Sequence, residues 1–442
     1  MLFCTGRTWR ATEGEDMAAN PSWMRKFFGC GSGRIGVLGL LLLAVPAVYA
    51  PFIANGRPLV VSGGVASDCT FNGTAARNRV HVLAGGLVSG GVAQSKPVVS
   101  NAGVIRDLIM RSFPFLRHFF APDSQEAFVD VLFNYLALLI PVALVVMLVL
   151  RRRRRLRWWC VVIAAVVLLI PFAVAKPRMD KRDYRDIAAK GQGRYIFAPI
   201  PYGPFEPVGT PYAPPDRRHV LGCDEVGRDV AVRMIYGART SLAVGILATA
   251  LALSIGATVG IAAGYFRGWF DLGVMRLVEI LMCFPTFLLL LILMSSLGDR
   301  DFGQSIPIVI AVLGLTGWIG IAFLVRGETL KQCALPYIQS CEVSGLPTWR
   351  IMFRHLLPNI SPVLLTSGVF GIAGAILAEN GLSFLGFGIQ PPGASWGDLL
   401  RQAFANPLDY WHLTLFPGAA IFVAVISFNF IGDAIGKALA PK

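Results

Sequence analysis

The chain has 442 residues, of which 55% are hydrophobic and 15% charged, and 40 basic against 26 acidic residues give it a net charge of +14. A soluble domain carries about 25% charged residues, so this composition, with a mean hydropathy of +0.61, excludes soluble, disordered and collagen-like proteins. The basic excess is typical of cytoplasmic loops that face anionic lipid. No basic run outside the apolar segments is interleaved with aromatic residues, so nucleic acid is not an expected partner.

Apolar segments long enough to cross a bilayer recur along the chain. A membrane helix needs about 20 predominantly apolar residues. Eight segments meet this requirement, near residues 35–53, 129–150, 158–175, 242–265, 277–297, 306–325, 361–384 and 413–432. The third is the shortest, and Trp158 and Trp159 at its start are typical of the aromatic belt at a membrane interface. The sequence therefore predicts an all-α polytopic membrane protein with about eight spans, the first an uncleaved anchor.

Short basic loops predict the orientation of these spans. Six of the seven residues from 151 to 157 are arginine, and positive charge in short loops stays cytoplasmic. The second and third spans are thus expected to form a hairpin with a cytoplasmic tip, and counting along the chain places both termini in the cytoplasm. The predicted parts are a cytoplasmic N-terminal segment (1–34), a first membrane helix (35–53), an extracytoplasmic segment (54–128), the hairpin (129–175), a Pro-rich extracytoplasmic segment (176–240) and a core domain (241–442) with a cytoplasmic loop at 326–360.

The two predicted extracytoplasmic segments differ in composition. Seven prolines between residues 195 and 218 predict an extended stretch, because proline breaks helices and strands alike. The 56–127 stretch is rich in glycine and valine and predicts at most a few short strands. Cys69 and Cys223 both fall in these segments, where a disulfide between them is chemically permitted.

Motifs for catalysis or metal binding are missing from the sequence. It contains no P-loop, no paired cysteines or histidines at zinc spacing and no G-x-S-x-G nucleophile elbow. We therefore expect neither enzymatic chemistry nor a cofactor bound by this chain.

The cytoplasmic loop 326–360 has a distinctive pattern of helix-starting and helix-ending residues. Pro336 can begin a first helix, Gly345 can end it, and Pro347 can start a second helix that stops before Pro358. Two short helices meeting at a tight angle would need a positive φ at Gly345. From the residues alone, this pair of short helices could bind a cytoplasmic partner or rest on lipid.

Several motifs together resemble a known family. Gly345 and the following TWRIMFRHLLPN resemble the EAA loop of ABC-transporter permease subunits. The chain is also similar to the second permease of dipeptide, oligopeptide and nickel importers in the stretches LGCDEVGRDVAVRMIYGARTSL (221–242), GYFRGWFDLGVMRLVEILMCFP (264–285), GAILAENGLSFLGFGIQPPGASWGDLL (374–400) and FPGAAIFVAVISFNFIGDAI (416–435). The resemblance covers about residues 195–442, and APFIANGRPLV at 50–60 further resembles the microcin C and peptide permease branch.

This resemblance implies the type I ABC importer permease fold, with the hairpin 129–175 added to the family's six spans. It also implies a bacterial inner-membrane subunit that takes up peptides, although nickel or a peptide-like antibiotic is an alternative substrate. The implied partners are a second permease subunit in a heterodimer, two cytoplasmic ATPases that bind the ATP, an extracytoplasmic substrate-binding protein, and membrane lipid. A secondary transporter driven by an ion gradient stays open as an alternative, but such proteins favour several buried ionisable groups.

The resemblance also assigns coupling residues within the loop 326–360. The family's Glu-Ala-Ala falls on Gln339, Ser340 and Cys341, so the glutamate is replaced by its neutral amide, which keeps the length and hydrogen-bonding atoms. The full set of candidates for contact with the ATPase is Gln339, Ser340, Cys341, Gly345, Arg350, Arg354, Leu357 and Pro358.

Glu379 is a carboxylate in the middle of the seventh predicted span, where its insertion costs about 2.5–3.5 kcal/mol. It is either a residue of the translocation pathway, together with Asn380, or a structural carboxylate bonded to a neighbouring helix. Glu279 follows Arg276 by three residues, and an ordinary i,i+3 ion pair explains it.

Overall fold

Helices dominate the structure, because apolar segments in a bilayer must satisfy their backbone hydrogen bonds internally. The computed structural model describes residues 22–62, 127–150, 154–174, 194–298 and 306–439, with residues 115, 119, 120, 122, 185 and 188. The helices are α1 Ser22–Gly29, α2 Gly31–Val48, α3 Ala50–Ile53, α4 Ala127–Val149, α5 Arg154–Val174, α6 Val230–Phe266, α7 Gly268–Met282, α8 Thr286–Gly298, α9 Ile306–Cys333, α10 Pro336–Val343, α11 Thr348–Phe384, α12 Trp396–Gln402 and α13 Trp411–Leu439. The predicted all-α class is confirmed.

Two short strands and a run of turns form the described part outside the helices. Strands β1 (Val60–Ser62) and β2 (Arg194–Ile196) pair antiparallel, with Val60 opposite Ile196. Residues 197–229 then run to α6 through turns and isolated bridges without a helix, as the prolines predict. Most of the predicted segment 54–128 lies outside the described residues.

The described residues contain six helices that are long and apolar enough to cross a membrane, namely α2, α4, α6, α9, α11 and α13. The pair α7 and α8 would add a seventh crossing if it counts as one bent span, and the apolar part of α5 is shorter, at Arg157–Phe172. A multi-pass membrane protein is therefore confirmed, while the count of eight stays a prediction.

The predicted span at 277–297 is not one continuous helix but contains a sharp break. Helix α7 ends at Met282, α8 begins at Thr286, and the two helices meet at 84°. Pro285 between them has no N–H to donate, and it disfavours the helical conformation at Phe284. The helix therefore breaks where the hydropathy stays high.

Helices α6 and α9 pack closely because glycines recur every four residues on the facing side of α6, at Gly256, Gly260 and Gly264. A Cβ at Gly260 would lie 2.6 Å from the carbonyl oxygen of Ala322. Such small residues let membrane helices approach each other closely. The spacing of these glycines is itself a signal in the sequence.

The hairpin of α4 and α5 is joined to the rest of the protein near the end of α2. Within the hairpin, the Tyr135 hydroxyl donates to the carbonyl of Ala165 at 3.0 Å. Arg239 of α6 donates to Asp130 and Asn134 of α4, each at 3.0 Å, and to the carbonyl of Ala47 at 2.6 Å. One buried guanidinium thus links α6, α4 and the end of α2.

The predictions of an Arg-rich hairpin tip and of a possible disulfide between Cys69 and Cys223 involve residues that the structure does not describe. Arginines 151–153 of the hairpin tip and Cys69 lie outside the described residues. Cys223 is fully buried, and this burial raises the pKa of its thiol to about 11.

Candidate functional site

The loop 326–360 folds as the end of α9, the short helix α10, a four-residue turn and the start of α11. Pro336 is the first residue of α10, and Pro347 is the extended residue before α11, as predicted. Gly345 has a φ of +68°, so the predicted positive φ is confirmed. The amide of the next residue, Leu346, donates to the carbonyl of Cys341 at 3.2 Å and closes the end of α10.

The predicted end of the second helix before Pro358 is wrong. The helix runs without interruption over Thr348–Phe384, and its residues Ile351–Leu356 form a π-helical segment. Pro358 lies at the start of the following α-helical part, a position at which its missing N–H is tolerated. The change from π to α pattern thus lets the chain pass the proline and continue directly into the span.

The inner face of the loop is buried against the membrane helices. Ile338 of α10 and Ile351 and Leu356 of α11 are almost completely buried, and they belong to one apolar cluster with Ile261 of α6 and Val325 of α9. Because close-packed interiors transmit displacement, a force on the loop reaches both helices.

Polar contacts brace the same loop. The Tyr337 hydroxyl donates to Gln332 at 2.9 Å and accepts a hydrogen bond from Asn359 at 3.0 Å. Burial raises the pKa of Tyr337, so the phenol keeps its proton and remains a donor at neutral pH. This contact connects α10 with both α9 and α11.

The coupling residues predicted from the sequence lie on or beside the outer surface of the loop. Exposed side chains or surfaces belong to Gln339, Ser340, Gly345, Arg350 and Arg354, and partly buried ones to Cys341, Leu357 and Pro358. Burial raises the pKa of the Cys341 thiol, which disfavours its reactive thiolate form.

Two apolar residues of this outer surface were not among the candidates predicted from the sequence. The side chains of Val343 and Trp349 are 90% and 65% exposed. They flank the Gly345 turn, and the signal in the sequence was a large apolar residue on each side of that turn within a polar stretch. Exposed apolar groups beside basic ones are typical of a contact surface.

On the predicted cytoplasmic side, an ion pair connects α7 with α9. Arg326 binds Asp271 through two parallel hydrogen bonds of 2.5 and 2.6 Å, the bidentate geometry that makes such pairs strong. The predicted pair of Arg276 and Glu279 is confirmed at 2.7 Å, and both side chains are exposed.

On the predicted extracytoplasmic side, Arg233 of α6 is fully buried. It donates to the carbonyl of Gly393 at 2.8 Å and lies 3.4 Å from carboxylate oxygens of both Asp224 and Asp398. The start of α6 and the chain before α12 are therefore joined by one buried charge network.

Glu379 of α11 is completely buried in the described structure. Its carboxylate accepts hydrogen bonds from Ser241 at 3.0 Å and from Ser383 and Ser395 at 2.8 Å each. Asn380 beside it donates to the carbonyl of Ile376 at 2.8 Å. The second alternative drawn from the sequence, a carboxylate bonded to a neighbouring helix, describes this arrangement, while a pathway role stays a prediction. Among the described residues, no three His, Cys, Asp or Glu side chains could hold a metal ion.

Comparison with known proteins shows that the chain is similar to transport system permease proteins. Residues 256–442 match the family described as binding-protein-dependent transport system inner membrane component. The chain is 37% identical over 228 residues to the glutathione transport system permease protein of Pectobacterium atrosepticum, covering 52% of this chain and 74% of that protein. It is 38% identical over 257 residues to the dipeptide transport system permease protein of Bacillus subtilis, covering 56% and 79%. With the oligopeptide transport system permease protein of Haemophilus influenzae it shares 38% identity over 225 residues, covering 51% and 70%. The family match includes the loop 326–360 and Glu379, whereas the hairpin of α4 and α5 lies outside it.

Proposed function

We propose that this chain, which belongs to the family of binding-protein-dependent transport system inner membrane components, forms the membrane path of an ABC importer for peptides. The family consists of transport subunits and not of enzymes, and the chain is a multi-pass inner-membrane protein. The relatives' names specify glutathione, dipeptides and oligopeptides, which supports a short peptide as the substrate.

The loop 326–360 is the observation that carries this proposal. Its inner face is buried against α6 and α9, while its outer face presents Val343 and Trp349 with the basic residues Arg350 and Arg354. An apolar centre with a charged rim is the anatomy of a protein contact surface. We infer that it binds a cytoplasmic ATPase, with a second ATPase on a second permease subunit in a heterodimer, and that ATP is held by those partners.

Coupling then follows from the rigidity of the loop. When the ATPases close on ATP, they would displace the outer face, and the buried inner face would move α6 and α9 with it. ATP binding thus shifts the population between inward-open and outward-open arrangements of the helices. A substrate-binding protein would deliver the peptide from outside, against the segments at 195–240 and 390–412, where Phe404 and Leu408 are strongly exposed.

The ATPase contact predicts the effect of removing its apolar centre. We expect Trp349→Ala and Val343→Asp each to lower co-purification of the ATPase subunits at least about tenfold, because exposed aromatic anchors contribute most at such interfaces. Trp269→Ala is the matched control, since Trp269 is also exposed (88%) but lies outside the loop, at the start of α7. Equal loss of the ATPases in the control and the loop variants would contradict the assignment of the surface.

The proposed orientation places α10 and both termini in the cytoplasm and the turn before α12 outside. In a variant without native cysteines, a cysteine replacing the exposed Pro391 should react with an impermeant maleimide in intact cells. One replacing Lys331, which is exposed at the end of α9, should react only after the cells are permeabilised. Labelling of position 331 in intact cells would contradict the proposed orientation.

A further inference from the structure

The buried Glu379 carboxylate is the centre of a hydrogen-bond network that reaches the segment between α11 and α12, residues 385–395. We propose that Glu379 is a positioning residue, which holds this extracytoplasmic segment in place through serine hydroxyls. The proposal concerns how the segment is held, and only its consequence for transport rests on the proposed function.

One oxygen of the carboxylate binds a serine just before the segment and the serine at its end. Ser383 and Ser395 both donate to Oε1 of Glu379, at 2.8 Å each. The same Ser383 oxygen accepts the backbone N–H of Ile389 at 3.1 Å. The Ser395 oxygen caps α12 by accepting the N–H of Gly397 at 3.2 Å. Each serine therefore relays the position of Glu379 to a backbone amide of the segment or of the helix that follows it.

The chemistry of the network requires an acceptor at Oε1 but no charge there. Each serine hydroxyl donates to Glu379 and uses a lone pair for a backbone amide, so the group at the centre must accept from both. A glutamine oxygen can do the same, and its amide nitrogen would then face Ser241, whose hydroxyl can turn to a carbonyl of its own helix. An apolar side chain offers no acceptor at all and leaves buried hydroxyls unpaired.

A second buried group holds the segment from the other side. Arg233 of α6 donates to the carbonyl of Gly393, while Leu385, Phe387, Pro391 and Pro392 of the same segment are exposed. Because residues around these exposed groups are fixed by buried hydrogen bonds, the segment presents an ordered apolar surface outwards. In the proposed importer, this surface faces the incoming substrate and its binding protein.

Hydrogen–deuterium exchange of the intact, assembled transporter tests this proposal directly. In Glu379→Leu we expect the backbone amides of residues 386–390 and 393–397 to exchange at least about tenfold faster, because the bonds to Ser383 and Ser395 are lost. In Glu379→Gln the exchange should stay within about twofold of the wild type. Ser241→Ala is the matched control. Ser241 bonds to the other carboxylate oxygen, and its hydrogen bonds, to Glu379 and Asn380, do not involve the segment.

The conservative variant separates positioning from a role of the charge. Peptide uptake should be retained by Glu379→Gln and lost by Glu379→Leu. If glutamine exchanges as fast as leucine, or if leucine leaves exchange unchanged, the proposal is overturned. Should Glu379→Leu fail to assemble, the double variant Ser383→Ala, Ser395→Ala must show the same faster exchange. If the wild-type complex takes up no peptide, the proposed function fails while the exchange result still decides the role of Glu379.

Discussion

Replacement of Gly345 by valine is expected to lower substrate-stimulated ATP hydrolysis about tenfold while leaving membrane insertion unchanged. Gly345 has a φ of +68°, and an L side chain in this left-handed region costs about 1–2 kcal/mol, most severely when it is β-branched. A Cβ at this position would meet no other atom within 4 Å. The cost therefore arises from the backbone alone, and the turn between α10 and α11 relieves it by changing shape. Because that turn carries Val343 and Trp349 on its two sides, the contact surface for the ATPase loses its geometry.

Gly345→Asn is the matched control for this prediction. Asparagine adds a side chain of similar size but tolerates the left-handed conformation, so stimulated ATP hydrolysis should be largely retained. Gln339→Glu, which restores the family's residue on the exposed side of α10, should also be tolerated. If valine and asparagine at position 345 are equally harmful, bulk at the contact surface and not backbone conformation is decisive, and the role assigned to the turn is wrong.

Removal of the buried charge of Asp130 is expected to lower the free energy of unfolding much more than removal of an exposed charge. Asp130 lies 3.0 Å from Arg239, and the arginine is only 1% exposed. Breaking a buried ion pair by removing one partner costs about 3–5 kcal/mol, because the other charge stays buried without compensation. Asp130→Leu should therefore lower the free energy of unfolding by that amount, measured by thermal unfolding in detergent or nanodiscs.

An exposed ion pair provides the control for this measurement. Glu279→Leu breaks the contact with Arg276, whose side chain is 70% exposed, and such surface pairs contribute about 1 kcal/mol or less. The double variant Asp130→Leu, Arg239→Met should recover part of the loss, since neither charge then remains buried. Equal destabilisation by Asp130→Leu and Glu279→Leu would mean that the hairpin of α4 and α5 is only loosely attached to the core.

Properties that depend on neighbouring residues could be predicted from the sequence. Hydropathy located the apolar helices, since burying about 20 residues in lipid is a local requirement. Pro336, Gly345 and Pro347 predicted the start and end of the helices in the loop, because proline and glycine act on the backbone dihedral angles at their own positions. The membrane protein class and the turn between α10 and α11 were therefore determined by the chain's local chemistry, whereas the continuation of α11 past Pro358 was not.

Hydrogen-bond partners that are distant in sequence were decided only by the tertiary structure. Ser241 is 138 residues from Glu379, and Asp130 is 109 residues from Arg239. A hydroxyl or carboxylate carries no local mark of the group it will meet, because the partner depends on which helices pack together and in what register. Pro285 is an intermediate case. Its residue type signals a possible break, but the 84° angle between α7 and α8 depends on how each of them packs against α9.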